Sequence, residues 1–132
     1  MPDKILVTGG NGFIGSYLVK YYESEGITVH NLDLAKESML PVNKYYSIDI
    51  TNIDEISSID NSYEVIFHCA GSASVPNSVE NPLKDFTINV EGTLNMLDYV
   101  YRSGSGTFVF LSTVSVFDLH NEYPLMESSF KK

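Results

Sequence analysis

Four things are scarce in this sequence, and each scarcity excludes something. Cysteine occurs once, at Cys69. No internal disulfide can form, and no cluster of residues has the spacing of a metal site. Positive charge is scarce: 8 lysines and arginines stand against 17 acids, for a formal charge of −9. Such a surface repels phosphate backbones, which excludes nucleic acid as a partner. Long apolar runs are missing. No stretch approaches the roughly 20 residues that span a bilayer. The start, Met1-Pro2-Asp3-Lys4, has neither a basic region nor a small-residue cleavage site, so a cytoplasmic protein without membrane attachment is expected. Repeats, low-complexity tracts and linkers are also missing. The 132 residues therefore read as one domain, long enough to bury a core without staples. Cys69 sits in an apolar run and reads as a small core residue rather than a nucleophile.

Short apolar runs alternate with helical patterns along the chain. Strands are predicted over Lys4–Val7, Thr28–Leu32, Tyr45–Ile48, Val65–Cys69 and Thr107–Leu111. Helices are predicted over Phe13–Ser24, stopped by Gly26, and over Asn52–Ile59, capped by Thr51 or Asn52. The longest runs from Pro82 to Tyr101, with Pro82 in its first turn and Gly104 past its end. Strands that are apolar throughout are buried on both faces, which implies a parallel sheet covered by helices. Right-handed crossovers make it doubly wound, an α/β sheet of the Rossmann type with about five strands in the order 3-2-1-4-5. Ligands of such sheets bind at the carboxyl ends of the strands.

The residues after the first strand are Gly9, Gly12 and Gly15, spaced G-x-x-G-x-x-G. The first glycine permits a turn closed to residues with a β-carbon. The second lets the main chain approach a pyrophosphate, and the third lets helix and strand pack closely. The helix that opens here aims its free N–H groups at the ligand. Placed between a strand and a helix, the turn is predicted to bind a dinucleotide. Asp33 ends the second strand, 18 residues after Gly15. An acid there accepts hydrogen bonds from the adenosine ribose and repels a 2′-phosphate, which favours NAD over NADP. Lys36 is the nearest cation.

The run Thr8-Gly9-Gly10-Asn11-Gly12-Phe13-Ile14-Gly15 resembles the T-G-G-x-G-F-I-G of the extended short-chain dehydrogenases/reductases, in the NAD-dependent epimerase/dehydratase branch that acts on nucleotide sugars. Asp49-Ile50 is similar to that branch's pair after strand three, which contacts the adenine. Cys69, Ala70 and Gly71, after His68, resemble the segment along the cofactor's ribose and pyrophosphate. Val75, Ser78 and Pro82 fall on V-x-x-S-x-x-x-P. Asn89-Val90-Glu91-Gly92-Thr93 resembles N-V-x-G-T, and Phe110 to Phe117 resembles the end of strand five. The resemblance implies that Gly9, Gly12, Phe13, Ile14, Gly15, Asp33, Leu34, Asp49, Ile50, Cys69, Ala70, Gly71 and Asn89 hold NAD. It implies a nucleotide-sugar substrate and a homodimer, or self-association, through the 82–101 helix. Bland roles are open beside these: His68 as a satisfied core histidine, Asp49 as a helix cap, Asn89 as a loop anchor.

In that branch NAD briefly oxidises the sugar. A tyrosine acts as base, a lysine four residues on lowers its pKa, and a Ser/Thr after strand five orients the reacting hydroxyl. The hydroxyl falls on Thr113, with Ser112 beside it. No tyrosine here is followed four places on by lysine; Tyr123, for instance, is followed by Glu127. The chain therefore reads as the N-terminal, cofactor-binding half of an epimerase or reductase, ending before the tyrosine helix and substrate lobe. The alternative is a non-catalytic NAD-binding or assembly module. Val114-Ser115 stands where the 4,6-dehydratases carry Asp-Glu, which argues against a dehydratase, and Phe117-Asp118 replaces the usual Tyr-Gly.

Overall fold

Ile5, Leu6 and Val7 have no exposed surface, and the sheet is built outward from them. They belong to β1 (Lys4–Thr8), which pairs in parallel with β2 (Thr28–Asp33) on one side and β4 (Val65–His68) on the other. β3 (Lys44–Ser47) extends the sheet beyond β2, and β5 (Thr107–Phe110) extends it beyond β4. The order is β3-β2-β1-β4-β5, as the sequence predicts. The computed structural model describes residues 1–59, 62–117 and 124–129. Asp118 and Tyr123 lie outside the described residues.

Alternate residues of each strand point to opposite faces, so β1 feeds two cores. Leu6, Leu32 and Ile66 face one, beneath Ile56, Met96 and Tyr99 from the helices. Ile5, Val7 and Val29 face the other, beneath Val19 and the partly buried Leu18 and Tyr22 of α1 (Phe13–Ser24). Buried faces on both sides are what a parallel sheet requires.

The helices depart from the sequence reading in three places. α2 spans Ile53–Ser57 and is capped by Asn52, one of the two expected caps, which accepts from the amides of Asp54 and Glu55. It is shorter than predicted at its C-terminal end, which closes at Ser58. α3 (Val75–Glu80) has no counterpart among the predicted helices; the Ser74 hydroxyl caps it at the Asn77 amide. It buries no residue, so it leaves no apolar stripe to read. The helix expected over 82–101 runs without a break but not as one regular helix. Pro82–Phe86 forms α4, Thr87–Glu91 forms a π-helical turn, and Gly92–Ser103 forms α5, ended by a left-handed Gly104.

Leu83, Phe86, Val90, Leu94 and Leu97 are exposed, Leu83 by 83%. Their spacing of three or four residues runs through the π turn, so one outer face continues from α4 into α5. Val100, at the edge of that face, packs against the core.

Because Ile66 is fully buried and Ile53 is 48% exposed, the same deletion separates them. Ile66→Val is expected to lower unfolding stability by about 0.5–1.5 kcal/mol, and Ile53→Val by less than about 0.5 kcal/mol, in urea denaturation followed by circular dichroism.

Candidate functional site

β1 leaves the sheet at Thr8 while still bonded to both neighbours. The Gly9 amide donates to the Leu32 carbonyl of β2 at 2.7 Å, and the Thr8 carbonyl accepts from the Cys69 amide beyond β4 at 3.0 Å. Gly9 then turns with φ +69°, where a side chain is strained. A β-carbon there would lie 2.7 Å from the Ala70 amide nitrogen. One on Gly15 would strike the Gly9 carbonyl, and one on Gly10 the Asn31 side-chain amide. The Gly12 amide closes the turn on the Gly9 carbonyl at 3.0 Å. Gly12 is also the N-cap of α1 and brings no side chain to the first-turn amides, which are left to a ligand.

Above this turn lies a cleft of about 690 Å³ at the carboxyl ends of the strands. The structure brings most of the sequence-predicted residues to its walls: Gly9 and Gly12 from the turn, Asp33 at the end of β2 and Leu34 after it, Asp49 and Ile50 after β3, and Cys69, Ala70 and Gly71 after β4. The others it places elsewhere. Phe13 and Ile14 are exposed on α1 and Gly15 is buried beneath the turn. Ser112 and Thr113 are exposed beyond β5, where the Thr113 hydroxyl accepts from the Ser115 amide. Asn89 stands behind the cleft rather than in its wall.

Asp33 is fixed by both carboxylate oxygens. Oδ2 accepts from the Asn11 amide at 3.0 Å and Oδ1 from the Ala35 amide at 3.1 Å. Each oxygen keeps a further lone pair for a ribose hydroxyl. Asp49 is not the cap of α2. Its Oδ1 accepts from the amide and hydroxyl of Thr51, at 2.9 and 2.8 Å. Sequence reasoning missed Asn11, Met39, Lys84, Thr87 and Ile88 in the walls. Lys84, Thr87 and Ile88 share the i, i+3, i+4 spacing of one helix face, a legible signal. Met39 lies in an irregular segment and carries none.

The loop after β4 is held by a chain of hydrogen bonds with one consistent direction. The Thr93 hydroxyl donates to the Asn89 carbonyl at 2.7 Å, so it accepts from His68 Nε2 at 3.1 Å. His68 Nδ1 is then the acceptor for the Thr8 hydroxyl at 2.8 Å, and Thr8 in turn accepts from the Ala70 amide at 3.2 Å. From the other side Asn89 clamps Ser72, accepting from its amide at 2.8 Å and donating to its carbonyl at 3.0 Å. His68 is thus a neutral core histidine, stacked on Phe108 and Phe110. Burial lowers its pKa to about 4. Burial likewise raises the Cys69 thiol to about 11, which leaves it a packed thiol rather than a thiolate.

The His68 shift has a direction that can be tested. The unfolded imidazole takes a proton near 6.5 and the folded one near 4. Stability is therefore full above pH 6.5 and falls as the pH drops towards 4, by up to about 3 kcal/mol. His68→Gln is expected to remove that part of the loss in urea titrations taken across this range.

A glycine turn with no β-carbon beside it, a helix N-terminus and a fixed acid at the neighbouring strand end suit a pyrophosphate joined to a ribose. Known proteins agree. The sequence pattern of the NAD dependent epimerase/dehydratase family matches residues 5–131. The CDP-paratose 2-epimerase of Salmonella typhi is 33% identical over 95% of this chain, which spans 41% of that protein. The UDP-glucose 4-epimerase of Klebsiella pneumoniae is 32% identical, with 95% of this chain and 99% of that sequence covered. Among solved structures, the UDP-glucose 4-epimerase of Thermus thermophilus, in complex with NAD, superposes with a TM-score of 0.82 at 30% identity, covering 98% of this chain and 44% of that one. With the family's pattern running through nearly all of its residues, this chain belongs to the NAD-dependent epimerase/dehydratase family, and NAD is the cofactor its cleft is built for.

Proposed function

We propose that residues 1–132 are the cofactor-binding domain of an enzyme that epimerises or reduces a nucleotide sugar in the cytoplasm. The observation that carries this reading is the Asp33 carboxylate, pinned at 3.0 Å to the glycine turn itself. One group so placed serves both the ribose and the orientation of the turn. Gly9, Gly12 and the first turn of α1 face the pyrophosphate, Asp33 the adenosine ribose, and Asp49-Ile50 the adenine. NAD, when bound, supplies the hydride acceptor. The chain's own residues hold it in one orientation, and Thr113 with Ser112 presents a hydroxyl to the sugar. Val114 brings no acid for water elimination, which supports epimerisation or reduction over dehydration.

None of the 132 residues forms a Tyr-x-x-x-Lys pair, so the chain alone orients a cofactor without a base to take the substrate's proton. Calorimetry is expected to show NAD binding, with NADP at least about tenfold weaker, because Asp33 repels a 2′-phosphate. Asp33→Ala is expected to weaken NAD about tenfold and to narrow that gap. NADP binding as tightly as NAD to the unaltered chain would sink the role of Asp33.

The same reading includes self-association through the outer face of α4 and α5. Leu83, Phe86, Leu94 and Leu97 lie exposed there, an apolar patch of the kind that marks interfaces. Sedimentation velocity is expected to show a concentration-dependent dimer, and Leu94→Glu a monomer. A monomer at every concentration would count against it.

A further inference from the structure

Asn11 is the residue between Gly10 and Gly12, the variable position of the turn. Its side chain makes four hydrogen bonds, all to residues beyond β1 and α1. Nδ2 donates to the Glu37 carbonyl at 3.0 Å and to the Tyr45 hydroxyl at 3.4 Å. Oδ1 accepts from the Met39 amide at 3.1 Å and from Asn31 Nδ2 at 3.2 Å. Glu37 offers only a carbonyl and Met39 only an N–H, so the amide has one possible orientation. The Asn11 main-chain amide binds Asp33, and the Tyr45 hydroxyl also donates to the Ala35 carbonyl at 2.6 Å.

The segment that receives these bonds, residues 34–39, follows β2 and supplies Leu34, Ala35 and Met39 to the cleft wall. Burial does not hold it. Leu34 is 72% and Met39 80% exposed, and apolar packing resumes only at Leu40 and Val42. Bonds from Asn11, Tyr45 and Asp33 hold its backbone, and the Ser38 hydroxyl adds bonds to Asn31 and Leu40.

We propose that Asn11 is a positioning residue that ties the glycine turn to the 34–39 segment, and so sets the shape of the adenosine end of the cleft and its preference for a bare ribose. This rests on the reading of the cleft as an NAD site. A cofactor whose ribose lies at Asp33 has its 2′ position and adenine against this segment. With the tie in place the wall stands close and Asp33 is aimed. Without it the wall retreats, contact with the adenosine is lost, and room opens for a 2′-phosphate.

The test compares the unaltered chain with Asn11→Ala by hydrogen exchange without cofactor, and by calorimetry with NAD, NADP and ADP-ribose. The amides of residues 34–39 are expected to exchange faster in Asn11→Ala while those of β1, β2 and β4 do not change. NAD and ADP-ribose are each expected to bind about tenfold more weakly and NADP to lose less, so that discrimination narrows. Tyr45→Phe, which removes one strand of the tie, is expected to move every readout the same way by less, and it stands in should Asn11→Ala not fold. Unchanged exchange in residues 34–39 would overturn the proposal, as would equal losses for NAD and NADP. Failure of the unaltered chain to bind NAD would overturn the reading of the cleft instead, and the exchange data would still decide the tie.

Discussion

Three strands end at one level because the backbone of Gly9 lies against the backbone of Ala70. That contact leaves no space for a β-carbon, and it is framed on both sides by sheet hydrogen bonds that continue past the last residue of β1. Everything at the top of the molecule follows from it. The turn stays low enough for Gly15 to slide beneath it, so α1 starts directly under the cleft. The loop after β4 is drawn in beside the turn rather than over it. The cleft is therefore floored by main chain, which is where a doubly wound sheet places a phosphate-bearing ligand.

The polar groups around that contact are not independent of each other. Thr8, the last residue of β1, reaches across to His68 and Ala70, and His68 reaches on to Thr93. A buried imidazole in an apolar stack is a liability unless both nitrogens are satisfied. Here two threonine hydroxyls satisfy them, and each hydroxyl passes its own proton onward. The π turn contributes at the far end of the chain. It contains Asn89, whose carbonyl takes the Thr93 hydroxyl and whose side chain holds Ser72.

Much of this is legible in the residues. Apolar runs mark the strands, most plainly in β1 and β4, and less so in β2, which buries His30 and Asn31, and in β3, which is exposed at Lys44 and Ser47. The glycine spacing and Asp33 locate the cleft, because their chemistry is local to one strand end or one turn. The misses share a physical cause. α3 buries nothing, so hydrophobic periodicity has nothing to detect. The π turn lies inside an exposed face that keeps its three- and four-residue spacing throughout, so the apolar pattern does not announce it. Asn11 and Met39 act through a hydrogen-bond tie between segments distant in sequence, which no periodic signal announces. Ser112 and Thr113 stand exposed after β5, apart from the cleft walls, so the hydroxyls read from the sequence are not gathered with the other site residues.

The floor of the cleft is also the joint between β1, β2 and β4, and this bears on the cost of binding. A loop that orders around its ligand gives up conformational entropy at that moment, and the loss is subtracted from affinity. The turn at Gly9 has nothing left to order. Its left-handed φ, its steric seat and its amides are settled when the sheet forms. Folding thus completes the turn in advance, and the freedom still to be lost on binding belongs to the ligand and to the exposed segment after β2.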